Sequence, residues 1–452
     1  MFHFVSIAGI MAAREKFGSR ASAIMAFAGS AIGLGSIWRF PYIMGENGGA
    51  AFVIIFIIAT LLLSLPIFIA ESIIGRRSHS NCMGAMHKLA PGDKKWRILG
   101  VLSVFTPLFI LSYYSVVGGW SVEYLWQAVS LDTKPFTEFV QETWEPLACF
   151  DIFVALTALI VAGGVKSGIE KFTKIGIPVL FILIISIAVF SFFLPGAKAG
   201  VEYLVKPDFS KITPKLFAYA LGQSFYALSL GMGIVITYSS YVSKDENLAV
   251  TATGTAVSTL LFSFLAGLAI MPAVFAAGIH PGAGAGLVFE SFPYVFSKMS
   301  EISPILGISA SILFYLTLLL AALTSSVSLL EVGVAWIVEE YHAPRVLACF
   351  QVSLLVFIAG ALCSLSFGPL ARFTLWGNNI FDIFDKFSSN VLLLCGGLLG
   401  VLFAGWKMKR EDFMDELTNG GRCRMRSAPL IYFLVRYAAP LILIIVFIFN
   451  FF

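Results

Sequence analysis

The stretch GSAIGLGSIWRFP, residues 29–41, decides the fold that we predict for this chain of 452 residues. It lies in an apolar segment long enough to cross a bilayer, yet three of its first seven residues are glycine. Because glycine costs about 1 kcal/mol relative to alanine inside a helix, we expect the segment to unwind around Ile32 and Leu34. Backbone groups freed at membrane depth must be bound by protein, ion or ligand. Arg39, near the end of the stretch, also needs a partner or a watery cavity, so the stretch predicts a binding site.

The composition is that of a membrane protein. Hydrophobic residues make up 58% of the chain and charged residues only 12%, and the mean hydropathy is +0.90. A soluble domain of this length does not need so much apolar surface, whereas a bundle of membrane-spanning helices does. The cysteines are scattered without a C-x-x-C pair, which argues against a disulfide framework or a zinc site.

Hydropathy predicts about eleven membrane spans. The first four cover about 19–44, 50–75, 98–127 and 149–165, and the fifth ends near Pro195. The other six cover about 214–241, 248–279, 303–338, 346–365, 378–406 and 430–452. The predicted organisation is a cytoplasmic segment 1–18, a five-helix unit 19–195, an extracellular connection 196–213, a second five-helix unit 214–406, a cytoplasmic loop 407–429 and a last helix 430–452.

Lysine and arginine, which are concentrated in cytoplasmic loops, predict the orientation. They cluster between the second and third spans, the fourth and fifth, and the tenth and eleventh. These loops are all cytoplasmic if the N-terminus is cytoplasmic, and the C-terminus then lies outside. The connection 196–213 is also basic, but it carries acidic residues as well, and the other loops outweigh it. The predicted location is the cell inner membrane.

A second interrupted segment, GQSFYALSLGMG at residues 222–233, lies five spans after the first. Interruptions at corresponding positions of two halves are typical of inverted-repeat transporters, whose binding site lies near the membrane midplane. Close packing of helices through small residues is the alternative explanation of each glycine cluster. Two clusters five helices apart favour the transporter.

Several separate motifs carry a resemblance to a known family. They are residues 29–41, ENGGAAF at 46–52, the pair Tyr113-Tyr114, SLGMG at 229–233, TYSSY at 237–241 and LTSS at 323–326. Over about residues 12–406 the chain resembles the neurotransmitter:sodium symporter family, in its prokaryotic amino-acid branch. The resemblance implies an all-α integral membrane protein of two inverted five-helix repeats, with discontinuous first and sixth helices and an added eleventh helix. It also implies symport of an amino acid with sodium by alternating access.

The resemblance implies two sodium sites beside the first interruption. For the second site it gives the carbonyls of Gly29, Ile32 and Ala321 and the hydroxyls of Thr324 and Ser325. Oxygen ligands suit a hard cation, although serine and threonine in a membrane helix also bond the carbonyl one turn back. The first site departs from the family pattern, because Ser36, Ala227 and Thr259 stand, beside the carbonyl of Ala31, where the family has asparagine, threonine and asparagine. We therefore hypothesise that coupling rests mainly on the second site, with one sodium ion per substrate.

Use of chloride stays open. Ser263 stands where chloride-independent members of the family carry a carboxylate, which favours chloride. However, Phe56 and Ala227 replace two expected anion contacts, so that Gln223 and Ser263 are the remaining candidates.

The resemblance also implies a substrate pocket with two poles. The amides of Leu34 and Gly35 at a helix start, with the Tyr114 hydroxyl, suit a carboxylate. The carbonyls of Ala31, Tyr226 and Ala227, with Ser229, suit an ammonium group, so the substrate would be an α-amino acid. The rest of the lining would be Ile110, Phe225, Tyr226, Met232, Ser325 and Leu329. It favours a large hydrophobic or aromatic side chain, although from spacing alone ordinary bundle packing explains these apolar residues better.

Charged residues near the pocket resemble the gates of the family. Arg39 and Asp385 would form the outer pair, with Tyr114 and Tyr226 between them and the substrate. Arg14 and Glu339, with Ser240 and Tyr241, would form the inner pair, or would simply be solvated ends of the chain and of a helix. Glu71, deep in the second span, is expected to brace the interrupted helices by accepting backbone amides.

Two further functions stay open at this point. A transporter-like amino-acid sensor would share the motifs, and the depleted first sodium site favours it; a symporter of another small zwitterion with altered ion coupling is a variant. An enzyme is not expected, because none of the five histidines lies at membrane depth and no nucleophile has a base nearby in sequence. The expected partners are a small amino acid and the lipid bilayer, not nucleic acid, and the oligomeric state is left open.

Overall fold

The chain folds as a bundle of helices. The computed structural model describes residues 15–451 except 133, 279 and 282–286. Within these residues all regular structure is helical, apart from one isolated bridge between Leu375 and Asn378. The predicted all-α class is therefore confirmed.

The helices follow one another with short connections. The first half holds α1 (Arg20–Ala31), α2 (Gly35–Glu46), α3 (Ala50–Ser78), α4 (Cys82–Leu89), α5 (Lys94–Ser130), α6 (Phe136–Gln141), α7 (Trp144–Ala162), α8 (Val165–Phe192) and α9 (Ala197–Val205). The second half holds α10 (Pro214–Ala227), α11 (Ile234–Ser239), α12 (Leu248–Ala276), α13 (Leu287–Ile302), α14 (Pro304–Tyr341), α15 (Arg345–Leu365), α16 (Ile380–Lys407), α17 (Arg410–Thr418) and α18 (Ala428–Phe449). Several of the long helices contain a wider π turn, as at the start of α2.

Most span boundaries differ from the predicted ones by a few residues. The largest shift is at α7, which begins at Trp144 rather than at 149. Sequence analysis missed the short helices α4, α6, α9, α13 and α17, because helices of 8, 6, 9, 16 and 9 residues are too short to give a membrane-spanning hydropathy signal. In consequence, the predicted loop 407–429 contains a helix.

The number of spans stays a prediction. Among the described residues, nine helices are long and apolar enough to cross a membrane, and the bent pair α1–α2 makes a tenth. The eleventh would consist of α10 and α11, which have 14 and 6 residues and are each too short to cross alone.

Both predicted helix interruptions are present. Residues 32–34 separate α1 from α2, and the helix axis bends by 52° between them. Residues 228–233 separate α10 from α11. Gly231 and Gly233 adopt φ angles of 74° and 73°, where residues with a side chain are strained. A Cβ at either glycine would also collide with neighbouring backbone, that of Leu393 or of Ser103. The second interruption therefore depends on glycine.

Helix α14 is the central element of the bundle. It has 38 residues and packs against α1, α5, α7 and α8. Residues 321–335 along its middle are all buried. Since α1 lies against this middle part, the LTSS motif of α14 faces the first interruption.

Candidate functional site

The carbonyls at the end of α1 are bound by hydroxyl groups. Thr324 Oγ1 lies 3.2 Å from the Ile32 carbonyl and 2.9 Å from that of Ala321. Ser325 Oγ lies 3.3 Å from the Gly29 carbonyl and 3.0 Å from that of Ser30. Each hydroxyl has one hydrogen to donate, so two hydrogens face four carbonyl oxygens. The five residues expected at the second sodium site thus lie together in an oxygen-rich cluster that suits a cation.

The residues expected at the first sodium site are only partly brought together. Ser36 Oγ lies 3.4 Å from the Ala31 carbonyl, so these two residues are neighbours. The Thr259 hydroxyl donates instead to the Thr255 carbonyl of its own helix, at 2.9 Å. Ala227 is buried as the last residue of α10 and offers no side-chain oxygen. The cluster at this position is poorer in oxygen ligands than the one at Thr324 and Ser325.

A small pocket lies between the two interruptions. It is lined by Ser30, Ala31, Gly33, Gly35, Ile110, Tyr114, Tyr226, Ser229, Met232, Ile234, Ser325 and Leu329. Its free volume is about 20 Å³, close to that of a single water, so any larger ligand requires side chains to move apart. Most of the predicted substrate residues line it.

Three predicted substrate residues lie elsewhere. Phe225 lines a separate cavity on the side of Arg39 and Asp385. Leu34 and Ala227 are buried beside the pocket without lining it. The Leu34 amide nevertheless reaches the pocket, because it donates to the Tyr114 hydroxyl at 3.2 Å. Sequence reasoning missed Ser30, Gly33 and Ile234 as lining residues, although all three lie within or beside the interrupted motifs.

Two glycines of the first motif allow side chains to approach the backbone closely. A Cβ at Gly33 would lie 2.8 Å from the Tyr114 hydroxyl and would overlap the Ser325 side chain. A Cβ at Gly35 would lie 2.8 Å from the Tyr226 ring. Ser229, in the second motif, donates to the Ser30 carbonyl at 2.9 Å and so ties the two interruptions together.

The outer gate residues form a chain instead of a direct ion pair. Arg39 Nη1 donates to Ser389 Oγ at 3.3 Å, and Ser389 Oγ in turn donates to Asp385 Oδ1 at 3.2 Å. The Arg39 guanidinium lies over the Tyr226 ring, 4.4 Å from its centre. Arg39, Asp385 and Tyr226 also line a cavity of about 330 Å³, so Tyr226 separates that outer cavity from the small pocket. Sequence reasoning missed Ser389, which lies one turn after Asp385.

At the inner gate, Tyr241 has a partner that sequence analysis did not predict. Its hydroxyl donates to Glu331 Oε1 at 2.8 Å, and Arg345 forms an ion pair with the same fully buried carboxylate. The signal was available, since Glu331 is an acid within the apolar middle of α14. Glu339 accepts from the Asn81 backbone amide at 2.8 Å and from its side chain at 3.1 Å. Arg14 lies outside the described residues, so its predicted pairing with Glu339 stays a prediction.

Glu71 and Gln223 each form a hydrogen bond with backbone at or beside a helix interruption. Glu71 Oε1 accepts from the Gly231 amide at 2.8 Å, which is the bracing role predicted for it. Gln223 Nε2 donates to the Gly35 carbonyl at 3.0 Å. Gln223 Oε1 and Ser263 Oγ are buried and have no hydrogen-bond partner among the described residues. Phe56 is buried as well and contributes no polar atom.

Comparison with known proteins shows which family the chain resembles over most of its length. The model described as the sodium:neurotransmitter symporter family matches residues 14–155 and 130–452. YhdH of Bacillus subtilis, described as a sodium-dependent transporter, is 38% identical over 441 residues, or 96% of each chain. The sodium-dependent serotonin transporter of Drosophila melanogaster is 25% identical over 497 residues, which cover 97% of this chain and 76% of that protein.

Among solved structures, the chain is similar to MhsT in complex with L-phenylalanine. The TM-score is 0.89 and the sequence identity 40%, covering 97% of this chain and 100% of that one. This likeness confirms the predicted fold class, and the family and fold are those of transporters rather than enzymes. The chain therefore belongs to the sodium:neurotransmitter symporter family and is a sodium-dependent, multi-pass membrane transporter.

Proposed function

We propose that the protein is a symporter that couples sodium entry to uptake of a large hydrophobic or aromatic amino acid by alternating access. The observation that carries this proposal is the junction of two unwound segments around one pocket. At this junction, backbone carbonyls of α1 and the Leu34 amide of the unwound segment face the same small space as Tyr114 and Ser325. A zwitterion needs such a pair of poles.

Each pole of the pocket suits one end of an amino acid. The start of α2, with its positive helix-dipole end, and the hydroxyl of Tyr114 suit the carboxylate. The carbonyl of Ala31 and those at the end of α10, Tyr226 and Ala227, suit the ammonium group. An amine that has no carboxylate of its own would need an acidic side chain in the pocket, and Gly33 provides none. A side chain at this position would also collide with Tyr114 and Ser325.

The apolar part of the lining supports a large hydrophobic side chain. Ile110, Met232 and Leu329 are large apolar residues of the pocket lining. Methionine is flexible and adapts to irregular shapes, so Met232 can move to admit an aromatic ring. The bound phenylalanine of MhsT, whose fold this chain shares, agrees with this size class.

Sodium would bind mainly at the second site, formed by Gly29, Ile32, Ala321, Thr324 and Ser325. Its ligands are neutral oxygens, which can hold a single charge and also release it. The first site, formed by Ala31, Ser36, Ala227 and Thr259, would contribute little. Chloride stays a weaker proposal, with the free hydroxyl of Ser263 as its donor.

Alternating access would use the two gates in turn. On the outer side, the chain of Arg39, Ser389 and Asp385 closes over Tyr226. On the inner side, Tyr241, which follows α11, is tied to Glu331 of α14 and through it to Arg345 of α15. The protein would lie in the inner membrane, and its basic loops support an orientation with the N-terminus in the cytoplasm and the C-terminus outside.

Uptake by proteoliposomes tests this function directly. Purified protein in vesicles with an inward sodium gradient should accumulate labelled phenylalanine, tryptophan or leucine, and replacement of sodium by potassium should abolish accumulation. A thermal-shift screen of all twenty amino acids would name the substrate. Sodium-dependent binding without accumulation would instead identify an amino-acid sensor, which the loss of oxygen at Ala227 favours as the second candidate. Binding of none of the amino acids would overturn the proposal.

A further inference from the structure

A groove on the surface of the helix bundle runs between α7, α8 and α14. It has a free volume of about 480 Å³, and its walls include Leu159 and Gly163 of α7, Lys171, Ile175 and Val179 of α8, and Leu320 of α14. It is separate from the substrate pocket, with which it shares no lining residue. The transport mechanism proposed above makes no use of it.

The groove changes from polar to apolar along its length. Ser167, Lys171, Ile175 and Val179 follow one another at intervals of four and so lie along one face of α8. The first two are polar and the last two apolar. From Lys171 to Val179 the helix rises about 12 Å, which is less than the half-thickness of about 15 Å of a bilayer's hydrocarbon core. The gradient therefore follows that of one lipid leaflet, from headgroup to acyl chain.

The charge at the polar end has no partner of its own in the described part of the chain. Lys134, Lys206 and Lys298 each pair with a carboxylate at 4.0 Å or less. Lys171 is exposed and forms no such pair with any described residue. Lys166 and Lys174 are exposed beside it. The apolar wall and the free ammonium group are the two features that a basic, lipid-facing site requires.

We propose that this groove binds an anionic phospholipid, with the headgroup phosphate at Lys171 and one acyl chain along Ile175, Val179 and Leu320. A free phosphate ion would use the lysine but leave the apolar wall uncovered. A zwitterionic lipid would cover the wall but gain little from the lysine. The anionic phospholipid satisfies both.

The groove adjoins the walls of the second sodium site. Leu320 directly precedes Ala321, whose carbonyl belongs to that site. On the inner face of α8, Gly176 lies against the Thr324 side chain, since a Cβ there would be 3.5 Å from Thr324 Cγ2. Thr173 lies against Gly29 in the same way. A lipid held between α7, α8 and α14 is therefore expected to stabilise the packing of α8 on the sodium-site residues.

Lipid titration of the purified full chain tests the site without any transport assay. Phosphatidylglycerol and phosphatidylcholine are added separately to the protein in detergent, and bound lipid is counted by native mass spectrometry. The wild type should retain phosphatidylglycerol in preference to phosphatidylcholine, and its apparent melting temperature should rise when phosphatidylglycerol is added. Lys171→Gln should weaken phosphatidylglycerol binding about five-fold, with Lys171→Glu weakening it further. Neither change should alter phosphatidylcholine binding.

Matched variants on the same helix serve as controls. Lys174→Gln, the same substitution at an exposed position outside the groove lining, should leave phosphatidylglycerol binding within about two-fold of the wild type. Ile175→Trp, which fills the groove, should reduce binding of both lipids, while Ile182→Trp at a comparably exposed site outside the groove should not.

Three results would overturn the proposal. They are equal retention of the two lipids by the wild type, an equal loss in the Lys171 and Lys174 variants, and competition of inorganic phosphate alone at Lys171 with no effect of Ile175→Trp. Because lipid binding is measured without substrate, its failure would leave the proposed amino-acid symport untouched.

Discussion

Thr324 and Ser325 lie side by side where α1 ends, and their hydroxyls meet carbonyls of residues almost three hundred positions earlier in the chain. A helix end leaves its last carbonyls without amide partners, and in the membrane water is not there to bind them. The Ser30 carbonyl also accepts from Ser229, but the hydroxyl hydrogens of Thr324 and Ser325 still leave lone pairs free on the carbonyls of Gly29 and Ile32. A monovalent cation would satisfy the remaining lone pairs, which is why these residues carry the proposed sodium site.

Removal of the Thr324 hydroxyl should weaken sodium binding. Thr324→Val keeps the shape of the side chain but deletes one oxygen ligand, so the sodium concentration for half-maximal uptake should rise about ten-fold. Thr317→Val is the matched control, because Thr317 is a buried threonine of the same helix that bonds its own Leu313 carbonyl. Equal sodium dependence of the two variants would remove Thr324 from the site.

A side chain at Gly33 should block substrate binding without unfolding the protein. The Cβ of Gly33→Ala would overlap the Ser325 side chain and crowd Tyr114, and both residues line the pocket. Amino-acid uptake should fall to background. Gly222→Ala is the control, since a Cβ at Gly222 meets nothing within 4 Å. Normal uptake by Gly33→Ala would place the substrate elsewhere.

At the scale of elements, the two interruptions are held open by contacts from other helices. Glu71 of α3 accepts from the Gly231 amide in the second interruption, and Ser229 of that interruption donates to the Ser30 carbonyl of α1. Gly231 and Gly233 fit closely against the backbone of α16 and α5. The unwound segments are thus fixed by packing and are not loose loops.

Loss of the Glu71 carboxylate should destabilise the second interruption. Glu71→Ala leaves the buried Gly231 amide without an acceptor, which costs about 1–3 kcal/mol. The apparent melting temperature in detergent should fall clearly. Glu71→Gln keeps one oxygen acceptor and should lie between the wild type and Glu71→Ala. If both variants melted like the wild type, Glu71 would not brace the break.

At the scale of the whole molecule, a buried ion pair ties the connection before the last helix to the bundle. Arg76, at the end of α3, is 1% exposed and pairs with Glu416 of α17. The same guanidinium donates to the Glu416 carbonyl at 2.5 Å and to Asn419 Oδ1 at 2.7 Å, and it also bonds the Glu246 carbonyl before α12. Three separate parts of the chain meet at one arginine.

Removal of one partner from this ion pair should destabilise the protein far more than removal of an exposed one. Glu416→Ala leaves a buried guanidinium charge without its carboxylate, a change that typically costs about 3–5 kcal/mol. Asp245→Ala removes the exposed partner of Arg422, a pair with side chains 78% and 82% exposed, and should cost about 0–1 kcal/mol. Thermal melting of both variants in detergent distinguishes them, and similar melting curves would refute the structural role of Arg76.

The number of sodium ions transported with each substrate is also a property of the whole molecule. Because the proposed first sodium site has no side-chain oxygen at Ala227 and the Thr259 hydroxyl bonds its own helix, we expect one sodium ion per substrate. Uptake plotted against sodium concentration should then give a Hill coefficient of about one. A coefficient clearly above this value would show that the first site is occupied as well.

The sequence by itself determined the membrane class, the two interruptions and most residues around them. Hydropathy, glycine content and short motifs are local properties, so they can be read without coordinates. The same local signals placed Glu71 in its bracing role, since a carboxylate at membrane depth needs donors, and unwound backbone supplies them.

Only the tertiary structure decided which groups meet. The packing of distant helices places Ser389 between Arg39 and Asp385. It also brings Glu331 to Tyr241 and places Phe225 in the outer cavity and not in the substrate pocket. The groove along α8 likewise exists only because α7 and α14 form its other walls. Consecutive residues of an α-helix point in directions about 100° apart, so a rotation of the helix by that angle gives its side chains different neighbours. The hydropathy of the helix stays the same, and the sequence alone therefore does not distinguish these contacts.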